Sequence, residues 1–317
     1  MRAARQPDGP RSVGAGMLHL NVANVEQSLA FYRDVLGLEM RMPPTAPRAA
    51  AALVQEPGAL LKTVVLRLPG ASFQMELVEW SGTPLRPQQM RIQDPGAVLL
   101  AMDVRNLDAM LGGARKLGLR VLSAGGQPVA FDGPRGKTRT VMIRDADGFV
   151  VELVESGSPA TAAGSGTGAV SEIAMYLTVA DLAQTVNFYS HVFGFDMADP
   201  GAARPTSERI QTFFGDKTLA TMRTARGTFP GSDITLTFQE FGAPGRKAVR
   251  HRVQDPGGPI LPVTVQNFPA VIEQVKANGG TIGVDETTAP LAADARSSWI
   301  RDPNGVLIQV SMPRLRN

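Results

Sequence analysis

The hydrophobic positions of this chain change their period repeatedly, which predicts short strands alternating with helices. Residues 18–22 alternate between apolar and polar, as in a strand that buries one face. Asn24, with Gln27 three residues later, predicts a capped helix start. Apolar residues at helical spacing follow, and Gly37 is expected to end the helix. The pattern therefore predicts a strand and then a helix.

The rest of the first half continues with strand-like segments and one more helix. A helix is predicted from residue 106 to about residue 117, because apolar positions again recur at helical spacing. Strands are predicted around Val121 and over residues 63–68, 73–79, 98–104, 128–131, 140–144 and 149–154. This half of the chain therefore contains two units, each with a strand, a helix and then several strands.

The whole pattern occurs twice along the chain. Residues 31–40 return as residues 188–197, and residues 143–148 return as residues 300–305, both 157 residues later. Between them, Arg91-Ile92-Gln93-Asp94-Pro95-Gly96 returns 161 residues later, from Arg252 to Gly257. Three matches in the same order indicate a tandem duplication, and hence four modules in all.

The duplication also suggests domain boundaries. Residues 1–14 are rich in Arg, Pro and Gly and are expected to form a disordered arm. The two domains are expected at residues 15–155 and 170–315. Residues 156–169 consist almost wholly of Ser, Gly, Ala and Thr, which is typical of a flexible linker.

Two sequence motifs indicate a resemblance to a known family. Residues 22–37 and residues 144–153, with their partners in the second copy, resemble the vicinal oxygen chelate superfamily. That superfamily includes glyoxalase I, bleomycin-resistance proteins, fosfomycin-resistance enzymes and extradiol dioxygenases. The resemblance covers nearly all of the chain outside the tails and the linker. It implies an α+β fold in which four βαβββ modules pair into two curved, mostly antiparallel sheet cups.

The resemblance also implies where a metal ligand would lie in each module. The first-strand positions hold Met17, Leu99, Ala174 and Ile260, and the last-strand positions hold Glu76, Glu152, Thr237 and Gln309. The family's usual first-strand histidine is absent from all four modules. Because a divalent metal needs three or four nitrogen or oxygen donors, no metal or other cofactor is favoured.

One arrangement would still hold a divalent metal. His19 lies two residues after Met17, so it faces the same side of the strand, about 6.5 Å further along. If the two modules of the first copy share a cup, His19, Glu76 and Glu152 form a facial site. If modules pair across the copies, Glu76 faces Gln309, Glu152 faces Ala174 and Thr237, and neither set of metal ligands is complete. The sequence leaves both pairings open.

The candidate site residues follow from these positions. Glu76 and Glu152 are the catalytic candidates, each as a general base whose pKa is raised by burial. The ligand-binding candidates are Met17, His19, Leu99, Tyr176, Thr237 and Gln309.

Structural roles compete with these functional ones. Salt bridges to Arg67 or Arg139 are the alternative for the two glutamates, and a satisfied core position is the alternative for His19. The other two histidines, His191 and His251, are interpreted as solvated residues.

The amino-acid composition excludes some classes of binding partner. The chain has 32 basic and 29 acidic residues and no dense basic stripe, so no nucleic-acid partner is expected. No stretch approaches the ~20 apolar residues of a membrane span. The absence of cysteine excludes disulfides and thiolate ligands and fits a cytoplasmic location, although a secretion leader removed before residue 1 is also compatible with the sequence.

Together these observations favour a metal-independent lyase or isomerase, or a small-molecule binder, that uses the cup of the first domain. The alternative is a divalent-metal-dependent lyase or dioxygenase with His19, Glu76 and Glu152 as its site. The expected partner is a small-molecule ligand or substrate. A monomer is expected, because four modules can complete two cups within one chain.

Overall fold

A computed structural model describes residues 11–15, 17–68, 72–133, 136–156, 170–197, 199–231, 235–283 and 296–313. Four modules follow one another: module 1 (residues 17–81), module 2 (98–156), module 3 (170–242) and module 4 (259–311). The predicted linker lies outside the described residues, except for residue 156. The prediction of a disordered arm over residues 1–14 is wrong in part, because Arg11–Gly14 forms strand β1, which pairs with module 4. Residues 1–10 lie outside the described part.

Each module begins with a strand and a helix. Module 1 comprises β2 (Met17–Val22), α1 (Val25–Leu29), β3 (Glu39–Met42), β4 (Arg48–Ala49), α2 (Ala51–Val54), β5 (Leu60–Arg67) and β6 (Gln74–Ser81), with a π-helical segment (Ala30–Val35) continuing α1. Module 2 comprises β7 (Val98–Val104), α3 (Leu107–Lys116), β8 (Arg120–Val121), β9 (Val129–Gly133), β10 (Gly136–Arg144) and β11 (Val150–Ser156), with a short 3₁₀ turn at Ala124–Gly126.

The second copy repeats this order. Module 3 comprises β12 (Val170–Thr178), α4 (Leu182–Phe193), β13 (Arg204–Pro205), α5 (Glu208–Phe214), β14 (Thr221–Thr228) and β15 (Thr235–Gly242). Module 4 comprises β16 (Pro259–Gln266), α6 (Phe268–Ala277), β17 (Thr281–Ile282), β18 (Ser297–Arg301) and β19 (Leu307–Ser311).

The helix starts agree with the sequence pattern. The Asn24 side chain accepts a hydrogen bond from the Gln27 backbone N–H at 2.9 Å, and Asp181 accepts one from the Gln184 N–H at 3.0 Å. These bonds satisfy N–H groups that have no partner inside the helix. Helix α4 ends at Gly194, whose φ of 74° is a left-handed conformation that suits glycine.

The modules pair across the two copies. Sheet A has the order β17-β18-β19-β16-β2-β6-β5-β3 and joins module 1 to module 4, with β1 and β4 attached at β16 and β5. Sheet B has the order β13-β14-β15-β12-β7-β11-β10-β8 and joins module 2 to module 3, with β9 attached at β10. At the junctions, His19 lies opposite Ile260, and Leu99 lies opposite Tyr176, in antiparallel register. The alternative in which both modules of one copy share a cup is therefore wrong.

Each sheet has two faces with different partners. Leu18 and Leu20 of β2 are fully buried in the main core, against the helices, whereas Met17 and His19 alternate with them and lie on the opposite, concave face. We name the concave face of sheet A cup A and that of sheet B cup B. Each cup carries a smaller apolar cluster of its own.

The sequence motif that repeats after β10 and β18 has a structural role. Asp145, fully buried, accepts a hydrogen bond from the Tyr32 hydroxyl at 2.8 Å, and Asp147 accepts one from the Ala23 N–H at 2.9 Å. The last hairpin of module 2 is thereby fixed to the helix start of module 1. Burial raises the pKa of Asp145 to about 7. The second copy repeats this arrangement with Asp302, Tyr189, Asn304 and Ala180.

Candidate functional site

Two acid–base side chains meet in cup A. His19 on β2 and Glu76 on β6 are register partners in neighbouring parallel strands. The His19 Nε2 atom lies 3.1 Å from the Glu76 Oε2 atom, and the two side chains are 18% and 20% exposed. Both are therefore mostly buried, yet they can be reached from the concave side.

Burial decides the charges of this pair. It lowers the pKa of His19 to about 4 and raises the pKa of Glu76 above its ordinary value. A hydrogen bond from Thr63 and the positive charge of Arg48 oppose the rise at Glu76. Because the imidazole is neutral at pH 7, its contact with Glu76 is a hydrogen bond and not an ion pair.

The walls of cup A are apolar and aromatic. Trp80 belongs to its buried cluster, and Trp299 packs against that cluster from module 4. The Trp80 Nε1–H donates to the Asn21 Oδ1 atom at 3.0 Å, which fixes the indole ring. Gln309 is the register partner of Trp299 on the neighbouring strand. The chain contains two tryptophans, and both lie in cup A.

In cup B, Glu152 is the carboxylate at a superfamily ligand position. Glu152 on β11 is largely buried, and its Oε1 atom accepts a hydrogen bond from the Thr140 hydroxyl at 2.9 Å. Burial raises the pKa of Glu152 to about 7, and the Thr140 hydrogen bond opposes that rise. In the row of the sheet that contains Glu152, the next two strands carry Ala101 and Ala174.

Helix α5 covers part of cup B. It brings Phe213 and Phe214 onto the concave face, where they continue a chain of rings from Phe131 to Phe241 with centroids 5.6, 4.9 and 5.0 Å apart. The Ser123 hydroxyl donates to the Phe213 carbonyl at 2.9 Å and anchors the end of the helix. The sequence pattern did not predict this helix.

The sequence matches a known family over both copies. Residues 14–153 and residues 170–310 match the Glyoxalase/Bleomycin resistance protein/Dioxygenase superfamily. The chain belongs to this superfamily. A comparison with curated proteins finds no match.

Solved structures of the superfamily share the fold over nearly the full length. A glyoxalase I variant from Zea mays is 14% identical, with 95% of this chain and 93% of that chain covered and a TM-score of 0.56. A putative dioxygenase from Bacillus subtilis is 11% identical, with 96% and 86% covered and a TM-score of 0.54. At these identities the similarity establishes the fold. Among the described residues, no helix is long and apolar enough to cross a membrane.

The superfamily ligand positions divide between the two cups. Strand pairing and alternation place Met17, His19, Glu76 and Gln309 in cup A, and Leu99, Glu152, Tyr176 and Thr237 in cup B. Glu152 therefore lies on a different sheet from His19 and Glu76, and the facial site of these three residues is not assembled. The prediction that the first domain forms a cup by itself is also wrong, because β2 of module 1 forms its antiparallel pair with β16 of module 4 and not with β7 of module 2.

Neither cup has a nitrogen or oxygen side chain at its superfamily first-strand positions, which hold Met17, Ile260, Leu99 and Ala174. In cup A, the first-strand positions Met17 and Ile260 supply no oxygen or nitrogen side-chain donor, and His19 is already bonded to Glu76. In cup B, Glu152 is the one carboxylate at a ligand position. Within the described ranges, no three His, Asp, Glu or Cys side chains lie close enough together to hold a metal ion.

The alternative in which Glu76 or Glu152 forms a salt bridge with Arg67 or Arg139 is also wrong. Arg67 pairs with Glu39 at 2.8 Å, while Arg139 pairs with Asp108 at 2.6 Å and with Glu155 at 3.0 Å. The arginines therefore have other partners, and neither binds Glu76 or Glu152.

One histidine differs from its sequence interpretation. His251 is 1% exposed, and its Nε2 atom lies 2.8 Å from the Pro259 carbonyl oxygen. Burial and the nearby Arg301 charge lower its pKa to about 4. His191 is exposed on α4, as predicted.

Sequence reasoning missed the hydroxyl partners of both glutamates. Thr63 and Thr140 each lie on the antiparallel strand next to their glutamate, two residues away from its direct register partner. Such diagonal neighbours on one face are within reach of a long side chain. The signal was available, since strand alternation alone places each threonine on the concave face.

Proposed function

We propose that this protein catalyses a metal-independent, lyase- or isomerase-type reaction on a small organic molecule in cup A, with Glu76 as the general base. The observation that carries the proposal is the 3.1 Å contact between His19 and Glu76 on the concave face. A general base must be ionisable near working pH and reachable by the substrate, and Glu76 has a raised pKa in a side chain that is still 20% exposed.

The residues around Glu76 support this role. Thr63 and His19 both hydrogen-bond its carboxylate, so they orient it for proton abstraction. Glu76 would take the proton from an acidic C–H of the substrate and return it to a neighbouring atom. Met17 and Gln309 are proposed to contact the ligand, while Trp299, which is partly exposed, supplies apolar surface.

Binding without chemistry is the second candidate, because two tryptophans in the wall are suited to holding a flat apolar ligand. The two candidates differ in whether a proton is exchanged. A set of small oxo acids and ketones with acidic C–H bonds can be screened by quenching of tryptophan fluorescence. Those that bind can then be incubated with the enzyme in D₂O, and deuterium incorporation followed by NMR.

For the proposed reaction, Glu76→Gln should abolish deuterium incorporation while retaining binding, since Gln keeps the shape of the side chain. Glu39→Gln, at the exposed edge of the same sheet, serves as the matched control and should exchange normally. Exchange that survives Glu76→Gln would overturn the assignment. Exchange that is lost on treatment with a chelator would overturn metal independence. Binding with no exchange in any ligand would support the binder.

A further inference from the structure

One position on the outer edge of sheet A is filled by the chain itself. Thr63 on β5 lies between the two short strands β3 and β4, which pair with opposite ends of β5. There the Thr45 N–H donates to the Thr63 carbonyl at 2.9 Å, and the Thr45 hydroxyl oxygen accepts a hydrogen bond from the Thr63 N–H at 3.1 Å. Both backbone groups of Thr63 that point away from the sheet are therefore satisfied.

The equivalent position in sheet B is Thr224 on β14. The ion pair of Lys62 with Glu79 in module 1 corresponds to that of Arg223 with Glu240 in module 3, 161 residues further along the chain. At the same spacing, Thr224 corresponds to the threonine of β5 described above.

No strand of the described residues covers the outer edge of sheet B at Thr224. Strand β13 pairs with β14 only at Thr221 and Met222. The Thr206 N–H donates to the Ala220 carbonyl at 3.0 Å, so the backbone groups of every second residue from Ala220 onward point outward, and those of Thr224 are among them. The N–H and the carbonyl of Thr224 therefore face away from the sheet with no strand beside them.

A cavity of about 540 Å³ lies beside Thr224, between β14 and the segment 200–207, and we name it the edge cavity. Arg204 and Arg223 line it. Glu240 binds one end of the Arg223 guanidinium at 2.8 Å, but the Arg223 Nε–H is buried and has no hydrogen-bond partner in the described part of the chain. A cavity of this size is typical of a small-molecule site, and its positive charge favours an anionic group.

The way in which Thr45 fills the position in sheet A indicates the chemistry of a ligand. Its N–H and its hydroxyl oxygen are joined through two carbon atoms, and the N–H and a carboxylate oxygen of an α-amino acid are joined in the same way. An acylated amino group is favoured over a free one, because an ammonium group would add positive charge beside Arg204 and Arg223. Ile210 and Met222 also line the cavity, and they suit an apolar side chain.

We propose that the edge cavity binds a small N-acylated α-amino acid with an apolar side chain. The Thr224 carbonyl accepts a hydrogen bond from the amide N–H of the ligand, and the ligand carboxylate accepts hydrogen bonds from the Thr224 N–H and from Arg204. The site lies at the outer edge of β14, which three strands separate from β11 and Glu152. It requires no proton transfer and is independent of the reaction proposed for Glu76.

Calorimetry with three probes tests the carboxylate and the amide of the ligand. N-acetyl-leucine should bind at millimolar concentration. N-acetyl-leucinamide, which lacks the carboxylate, and leucine, which carries an ammonium group, should each bind at least about tenfold more weakly. Arg204→Gln should weaken binding of N-acetyl-leucine at least about tenfold, because it removes a charged hydrogen-bond donor. Arg209→Gln, on the exposed surface of α5, is the matched control and should leave the affinity unchanged.

Two substitutions at Thr224 separate the role of its backbone from that of its side chain. Thr224→Pro removes the N–H and should abolish binding, whereas Thr224→Val keeps the N–H and should bind normally. Proline is tolerated at an edge position whose N–H has no partner in the sheet, and the melting temperature of each variant checks the fold. If Thr224→Pro does not fold, the comparison of Arg204→Gln with Arg209→Gln decides.

Tryptophan emission distinguishes the edge cavity from cup A. Since both tryptophans lie in cup A, binding of N-acetyl-leucine at the edge of sheet B should leave their emission nearly unchanged, and Glu76→Gln should leave the affinity unchanged. The inference is overturned if N-acetyl-leucine does not bind, if either of the other probes binds equally well, or if Arg204→Gln has no effect. It is also overturned if Thr224→Pro folds and still binds, and each of these results would leave the proposed function of cup A intact.

Discussion

Replacing Glu152 by Gln should stabilise the protein at alkaline pH. The substitution keeps the shape of the side chain and the hydrogen bond with Thr140, but it removes a carboxylate whose ionisation is opposed by burial. Most substitutions at buried positions destabilise a protein, so an increase in stability would be a specific sign of this unpaired charge.

The size of the effect follows from the pKa. Burial raises the pKa of Glu152 from 4.5 to about 7. A carboxyl group with a raised pKa in the folded state binds its proton more tightly there than in the unfolded chain. Its contribution to stability is therefore most favourable below about pH 4.5 and is lost as the pH rises to about 7. At about 1.4 kcal/mol per pKa unit, the loss reaches about 3 kcal/mol above pH 7.

Urea unfolding of both proteins at several values between pH 5 and pH 8 measures this difference. Other titrating groups, such as Asp145 and His251, are present in both proteins and cancel. We expect Glu152→Gln to be more stable by about 1 kcal/mol near pH 5 and by about 3 kcal/mol near pH 8. Glu155→Gln is the matched control on the same strand, and it should lower stability because it weakens contacts with Leu107 and Arg139. A difference that does not change with pH, or a loss at pH 8, would refute the reasoning.

Three further outcomes can be checked on the same preparation. Tyr32→Phe should lower stability by about 1–3 kcal/mol in urea unfolding, because it removes a buried hydrogen bond to Asp145, and Tyr189→Phe should cost less because its bond to Asp302 is longer, 3.3 Å against 2.8 Å. Equal losses would contradict this ranking. Gly148→Ala should lower the melting temperature, because φ is 98° and a new Cβ would clash with the Gln88 carbonyl oxygen; an unchanged melting temperature would show that the turn can relax. Light scattering should give a monomer mass of 33.7 kDa, and a stable dimer would show that the four modules need a further partner.

Local structure was largely predictable from the sequence. The strand Val98–Val104 and the helix Leu107–Lys116 lie where the apolar periodicity indicated, and Asn24 and Asp181 cap their helices. These features depend on residues a few positions apart, which a periodic pattern records directly. The four-module α+β fold followed from the repeat and the resemblance, and the structure confirms it.

The assembly of the site was not predictable in the same way. Nothing in the alternation of β2 distinguishes β16 from β7 as its partner, because both are predominantly apolar strands of similar length. The pairing of β2 with β16 places Glu152 on a different sheet from His19 and Glu76. The burial of His251 depends likewise on contacts with distant segments, such as the Arg301 guanidinium bonded to its carbonyl. The run of basic residues around His251 is typical of a solvent-exposed loop, so the sequence pattern indicated that this histidine is exposed.

The pairing of module 1 with module 4 has a consequence for how the chain is made. Modules 2 and 3 are neighbours in sequence, so sheet B can close as soon as module 3 has been synthesised. Sheet A must wait, because 177 residues lie between Ser81 at the end of module 1 and Pro259 at the start of module 4. At about 5–20 residues per second, translation of that stretch takes roughly 10–35 s. During this time the open edge of β2 has no neighbour, so the first module to leave the ribosome is the last to be completed and the most exposed to mispairing with other chains.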